Sequence, residues 1–522
     1  MKIIAFHTQH DAALAVAEEG RLVLSLELER LFETRYFESS SEPATFTRQW
    51  EAALRAAQTF TRISSFDVAV TCWVPPWQRR ILAHLVPART WRQVDHHTAH
   101  ALHGLHDSRL ETPLILSFDG GGNDGTFRVF DGRRSENRVE AVERVPLNLG
   151  TPYRLLATAM PELTQRRAQP RAGHLSLAGK LMAYAALGTP NPCWRDALDE
   201  YYRCYQEPRQ ALHNLGNALG LDLDADQLGA EDARSLAATS QQVFTELVLE
   251  VLHRHLKASH DGVVLTGGCA LNVVANEQVR RAVRLPVHVP PAPNDAGIAM
   301  GALWSASMPG TTMTPFAGLP LVHDVPSAVL RNAGGRAADL HEVSELIAQG
   351  AVVGVAHGRA EVGPRALGNR SLLANARAHQ MRERINARIK KREWFRPVAP
   401  AVLERESGEL LAEPVHSPYM SFAVATKPEA VASLPAAGHV DGSARVQTVL
   451  DDEPLGLILR RLRSRHGMSC ILNTSFNVDG QPLLQRTSSA LEILRTRDVD
   501  FVFIDGTLLP SPRRTRKSGT DA

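Results

Sequence analysis

The chain has 522 residues, 44% hydrophobic and 22% charged, with 58 Lys+Arg against 56 Asp+Glu and a formal charge of +2. Such a length exceeds one core and predicts at least two domains, while the charge balance excludes the broad basic face on which nucleic-acid binding rests. Five scattered cysteines without CxxC spacing argue against a disulfide scaffold or a zinc ribbon. With no signal-like N-terminus and no apolar run of about 18 residues, a soluble cytoplasmic protein is expected.

In chain order, Lys2–Phe6, Ala12–Ala17 and Leu22–Glu27 read as strands separated by the polar turn HTQHD and by Glu-Glu-Gly. Thr45–Thr59 and DHHTAHALHGLH read as helices, and 113–130 repeats the strand, Gly-rich turn, strand pattern of the opening, with Asp119 where the first turn has Asp11. Leu247, Val251, Leu252 and Leu256 mark a helix within 235–257, followed by the strand GVVLTGG and the helix ALNVVANEQVRRAV. A Pro/Gly/Thr-rich stretch then predicts a linker at 311–340 between a first domain, 1–310, and a second, 341–509. The second domain alternates short strands (Val352–Ala356, Cys470–Asn473, Phe501–Asp505) with helices, including Met381–Lys391, which predicts an α/β fold; 510–522 reads as a disordered basic tail.

Three segments carry chemistry. In DHHTAH, His96 and His100 lie at i and i+4, one face of a helix, a spacing that can chelate a divalent cation. Asp295, in a Pro-rich loop, and Asp119 are the carboxylates that would complete such a site, although an HxxxH pair also arises by chance among 21 histidines. The glycines of DGGGNDGT, with Gly120 and Gly121, could form an amide nest, and GGCALN, with Gly267, Gly268 and Asn272, could receive a nucleotide at a helix N-terminus. Hairpin and strand–helix packing account for these glycines equally well. Finally, residues 357–402 concentrate Arg359, Arg365, Arg370, Arg377, Arg382, Arg384, Arg388, Lys390, Lys391, Arg392 and Arg396. Planar guanidiniums suit a small multiply charged anion. Lysine and arginine in the last turn of a helix are also favoured by its dipole.

Taken in series, HDAALA, DHHTAHA, SFDGGGNDGT, GKLMAYAALG, TGGCALNVVANE, NDAGIAMGA, GRAEVGPRALGNRSLLA, INARIKKREWFRPVAPAVL, SPYMSFA, HVDGSARVQTV and LNTSFNVDGQPL resemble the NodU/TobZ family of O-carbamoyltransferases over nearly the whole chain. The resemblance implies an actin-like ATPase (ASKHA) duplicated domain followed by a smaller YrdC-like domain. It implies that the YrdC-like part binds carbamoyl phosphate and ATP and forms carbamoyl adenylate, and that the other part holds this product on a divalent metal and passes the carbamoyl group to a hydroxyl. Iron(II) is the expected metal, with Mn²⁺ or Mg²⁺ as alternatives.

Carried over residue by residue, the metal ligands are His96, His100, Asp119 and Asp295. Nucleotide contacts are Gly120, Gly121, Lys180, Gly267, Gly268, Asn272 and Asn294. The KxR…SxN pattern falls on Lys390, Arg392, Ser475 and Asn477, joined by Arg359, Arg365, Arg370, Arg396 and Arg445. Lys390, Arg392 and His10, at the tip of the first turn, are the expected catalytic groups. The partner is a small-molecule hydroxyl acceptor, a natural product or sugar, with neither nucleic acid nor membrane involved. Asn375, Gln481 and the segment ELERLFETRYF depart from the family pattern, which puts acceptor identity in doubt. Threonylcarbamoyl transfer to tRNA is the alternative, disfavoured by the neutral charge; carbamoylation of a partner's cysteine is disfavoured by the missing zinc-finger cysteines.

Overall fold

A computed structural model describes all residues except 165–174, 205–206, 224–227, 312, 479 and 514–522; most of the expected basic tail lies outside the described residues. The chain divides into two units, Met1–Phe32 with Tyr36–Thr314, and Pro315–Ala522 with Glu33–Arg35. The division falls inside the expected linker. The remainder of that stretch is not featureless: it contains the helix Ser327–Asn332 and a short strand that joins the second unit's sheet.

In the first unit, β1 (Lys2–His7), β2 (Ala13–Glu18) and β3 (Arg21–Glu27) form an antiparallel meander. Parallel strands β4 (Phe66–Cys72) and β5 (Ala88–Val94) then extend the sheet beyond β1, in the order β3-β2-β1-β4-β5. Parallel neighbours need a crossover, supplied here by the helices Pro43–Thr61 and Pro76–Leu85. The same plan recurs in β6 (Leu114–Gly122), β7 (Gly125–Arg133), β8 (Arg138–Arg144), β9 (Val263–Thr266) and β10 (Val287–His288). Their order is β8-β7-β6-β9-β10, again three antiparallel strands and two parallel ones. The weak repeat of the sequence is therefore a repeat of topology.

Each repeat ends by leading into a helix, His96–Ser108 after β5 and Ile298–Trp304 after β10, and these two helices pack together. Their approach needs a glycine, since a Cβ on Gly301 would lie 1.8 Å from the Ala99 carbonyl oxygen. The central strands are buried, β1 from Ile3 to His7 and β6 from Leu114 to Asp119, whereas the edge strand β8 is largely exposed. Both central strands accordingly read as continuous apolar runs.

The second unit is built on a mixed sheet of β11 (Arg336–Ala337), β12 (Val353–Ala356), β13 (Arg370–Asn375), β14 (Ala399–Leu403), β17 (Gln447–Val449), β18 (Cys470–Ser475), β19 (Phe501–Ile504) and β20 (Thr507–Pro510). The strand order is β11-β20-β19-β12-β13-β18-β14-β17, and β15 (Ala423–Ala425) pairs separately with β16 (Ser443–Arg445). Val343, Ile347, Leu373, Leu459, Leu462 and Phe503 pack into one core beneath the sheet, each contributing about 1.5–3 kcal/mol of apolar burial. The expected helix Met381–Lys391 is present but changes winding, with one ordinary turn at Met381–Glu383 and π-helical winding over Arg384–Lys390. Lys391 lies beyond it in the left-handed region (φ 51°) and Arg392 is outside the helix, so neither belongs to a last helical turn as expected. Among the described residues no helix is long and apolar enough to cross a membrane.

Candidate metal centre and anion site

In the first unit the pseudo-repeat brings polar side chains together from equivalent places. His96 and His100 come from the first turns of the helix after β5, Asp295 from the turn leading into the helix after β10, and Asp119 from the end of β6. All four are buried, and one ligand atom from each lies within 4.8 Å of all the others. His100 Nε2 is 3.3 Å from Asp295 Oδ1 and 3.5 Å from Asp119 Oδ2, and His96 Nε2 is 3.7 Å from Asp295 Oδ1.

The DGGGNDGT turn has a structural role here. Asn123 Oδ1 accepts from the His96 amide at 3.0 Å and Asp124 Oδ1 from the His97 amide at 3.3 Å, so the β6–β7 turn caps the helix that carries both histidines. His97 is held as a core residue, with Nδ1 2.8 Å from Ser117 Oγ and Nε2 3.1 Å from the Gly125 carbonyl.

The residues fit a cation. His96 Nε2, both ring nitrogens of His100 and Asp295 Oδ1 are buried without a hydrogen-bond partner among the described residues, an arrangement that costs free energy unless something charged lies between them. Burial pulls His96 down to about 4. His100 is also opposed by burial, yet the carboxylates of Asp119 and Asp295 push it up to about 9. A group of this kind exchanges a proton for a metal ion readily, and two imidazoles with two carboxylates suit a first-row divalent ion.

His7 was not singled out from the sequence. It closes β1 as Asp119 stands at the end of β6, is buried, and places Nε2 3.3 Å from Asp295 Oδ2 and 3.1 Å from the His10 carbonyl. A lone histidine ending a strand carries no spacing signal; only the topological repeat could have found it. His10 is 41% exposed at the rim, with Nε2 3.6 Å from Asp295 Oδ2 and Nδ1 3.5 Å from Asp11 Oδ2. Burial opposes its charge, but Asp295 and Asp11 raise it to about 10. Asn294 donates to Asp11 at 3.1 Å, tying the two loops.

Of the other expected nucleotide contacts, Gly120, Gly267 and Gly268 are built into the walls of this centre. Gly120 and Gly268 both donate their amides to Asp119. Gly267, with φ 87°, brings its Cα so near β6 that a Cβ would lie 2.2 Å from the Phe118 carbonyl oxygen. Gly121 has open space around it. Asn272 caps the helix Val273–Ala282 and exchanges hydrogen bonds with Gln241, and Lys180 is buried in the helix Ser176–Ala185.

In the second unit, Lys390, Ser475 and Asn477 converge as the pattern implies. Lys390 Nζ donates to the Ser475 carbonyl at 2.6 Å, to Ser475 Oγ at 3.0 Å, to the Asn477 carbonyl at 2.9 Å and to Asn477 Oδ1. Arg445 is pulled well below its ordinary value by burial and by the guanidiniums of Arg365, Arg392 and Arg396, and its buried Nε has no hydrogen-bond partner among the described residues. Four guanidiniums gathered this closely suit a polyanion. Two other expected arginines are committed to the chain itself. Arg359 donates to the Gly318 and Ala317 carbonyls, and Arg370, fully buried, to those of His357, Gly358 and Asn369. Much of the arginine density therefore holds loops together.

Fold and site define a two-unit α/β protein with a buried His/Asp cluster in one unit and a cluster of lysine and arginine side chains in the other. Residues 87–304 match the family model described as Carbamoyltransferase N-terminus, and 344–510 the one described as Carbamoyltransferase C-terminus. The chain is 30% identical over 441 residues to nodulation protein NolO of Bradyrhizobium diazoefficiens, covering 79% of this chain and 78% of that protein. It is 29% identical over 547 residues to 3'-hydroxymethylcephem-O-carbamoyltransferase of Streptomyces clavuligerus, covering 97% of this chain and 98% of that one. Nodulation protein NolNO of Sinorhizobium fredii is 31% identical over 446 residues, 80% of this chain, and the chain spans 63% of that relative's length. The chain belongs to the carbamoyltransferase family of NodU/TobZ type.

Proposed function

We propose that this protein is an O-carbamoyltransferase that uses carbamoyl phosphate and ATP to carbamoylate a hydroxyl of a small molecule, a natural product or a sugar. The observation that carries this reading is the end-to-end likeness to the cephem O-carbamoyltransferase in a chain that keeps both the His/Asp cluster and the Lys390–Ser475–Asn477 constellation. The two βββαβαβ repeats of the first unit support an actin-like assignment, and the mixed sheet bearing Lys390 and Ser475 is compatible with a YrdC-like one.

In this reading the second unit activates the carbamoyl group. Hydrolysis of carbamoyl phosphate frees carbamate and phosphate; a carbamate oxygen then attacks the α-phosphorus of ATP, pyrophosphate leaves, and carbamoyl adenylate forms. Lys390 and the Arg365/Arg392/Arg396/Arg445 group bind the phosphates and offset the charge that builds on the leaving oxygens. Enclosure also shields carbamate, which decomposes in water.

In the first unit the acceptor oxygen attacks the carbamoyl carbon, AMP leaves, and the acceptor's proton passes to solvent. His10, at the rim beside Asp295, offers a ring N–H to the carbamoyl oxygen. His96, His100, Asp119 and Asp295 would hold a divalent cation, Fe²⁺ with Mn²⁺ or Mg²⁺ as alternatives, which when bound supplies Lewis acidity toward a phosphate or carbonyl oxygen. The test is release of pyrophosphate from ATP that depends on carbamoyl phosphate. Release without carbamoyl phosphate, or none with it, would refute the reading.

A further inference from the structure

The segment INARIKKREWFRPVAPAVL carries, besides its cations, a buried amide at Asn386 to which the sequence reading gave no role. We propose that Asn386 is a positioning residue for the anion grip, setting the orientation of Arg392 and the course of the loop through Arg396. This rests on the function proposed above for that site and adds a residue to its machinery.

Asn386 is 1% exposed and lies in the π-helical winding of Arg384–Lys390. Every polar atom of its side chain is used. Oδ1 accepts from Arg392 Nε at 2.7 Å, while Nδ2 donates to the Trp394 carbonyl at 3.2 Å and the Arg396 carbonyl at 2.8 Å. Its own carbonyl accepts from the Arg392 amide at 3.0 Å. Four residues further along the same winding, Lys390 reaches Ser475 and Asn477. One helical segment thus sets both cationic elements of the site.

The need for such a tether follows from charge. Arg365, Arg392 and Arg396 all act on Arg445, and guanidiniums gathered this closely repel one another before an anion arrives. A neutral amide restrains Arg392 without neutralising it, so the attraction for a phosphate is kept. Asparagine alone among small side chains pairs one acceptor with a two-proton donor at this reach. Aspartate would turn an oxygen toward two carbonyls and cancel one positive charge; leucine would keep the volume and leave every partner without its bond. Winding of the π type occurs mostly as single turns and is frequent at functional sites, in keeping with a segment whose register is set by what it must present.

The experiment titrates full-length wild type, Asn386→Leu, Arg392→Lys and the double variant with ATP by calorimetry, with metal content and unfolding midpoint measured on each. Asn386→Leu, which adds no charge, is expected to weaken ATP binding about ten-fold or more, the scale of one charged hydrogen bond, with metal content unchanged. The double variant is expected to bind no more weakly than Arg392→Lys alone, because both changes remove the same oriented guanidinium. A purely structural amide would instead add its effect to that of Arg392→Lys, and that result, or wild-type affinity in Asn386→Leu, would overturn the proposal. Should Asn386→Leu fail to fold, Asn386→Ser enters the same cycle with the same two outcomes. Carbamoyl phosphate-dependent pyrophosphate release by the wild type reports separately on the function itself.

Discussion

Lys390→Met removes the ammonium from the middle of the second unit's site while keeping most of the side chain's length. The ammonium supplies Ser475 and Asn477 with donors to two carbonyls, a hydroxyl and an amide oxygen. A hydrogen bond to a charged group contributes about 1.5–3 kcal/mol, but those sharing one ammonium do not add. Removal is therefore expected to cost about 3 kcal/mol, as for other buried charged partners. For a unit of about 200 residues that lowers the midpoint by about 6–12 °C. Scanning calorimetry reads this loss, and carbamoyl phosphate-dependent pyrophosphate release reads the loss of activity, expected to be complete within detection. A variant with the wild-type midpoint and undiminished pyrophosphate release would refute both the buried role and the catalytic one.

Three further outcomes follow from the same geometry. Arg445→Met should raise the ligand-free midpoint of the second unit, since it relieves repulsion from Arg365, Arg392 and Arg396, and should abolish the increase expected of wild type on adding inorganic phosphate; calorimetry with and without phosphate checks both. His100→Ala and Asp295→Asn should each lose bound metal, measured by elemental analysis of purified protein, because each removes one of four converging ligands. His106, buried with Nε2 2.6 Å from Asn137 Oδ1, is pulled by burial from 6.5 to about 4. The unfolded chain then binds the proton that the folded one refuses, so stability is full above about pH 6.5 and falls as pH drops toward 4, by at most about 3 kcal/mol. His106→Gln should flatten that acid slope in a series of melts from pH 7 to about pH 4; an unchanged slope would contradict it.

Most of the first unit was legible because its signals are local. Buried strands appear as apolar runs cut by Gly and Asp turns, and the observed β1, β2 and β3 lie within a residue of the expected limits. His96 and His100 were legible because a helix turns spacing into adjacency. His7 was not, since its partner Asp295 lies 288 residues away and only folding brings them together. The same limit applies to the arginines: a sequence shows their density but not that Arg359 and Arg370 face backbone carbonyls while Arg445, outside the dense segment, feels three other guanidiniums. The π winding before Lys391 was equally hidden, because Asn386 stabilises it through a loop that follows it in the chain. The expected linker reads as irregular because β11 has two residues, too few for any period, and is defined by its pairing with β20.

The most direct test of the account uses carbamoyl phosphate labelled in its carbonyl carbon, ATP, and a panel of hydroxyl-bearing sugars and hydroxymethyl compounds, with wild type and His100→Ala side by side. Wild type is expected to deliver label to a hydroxyl with matching release of AMP and pyrophosphate, while His100→Ala still releases pyrophosphate but delivers no label. Label transfer undiminished in His100→Ala, or loss of pyrophosphate release together with transfer, would contradict the division of the chemistry between the two units.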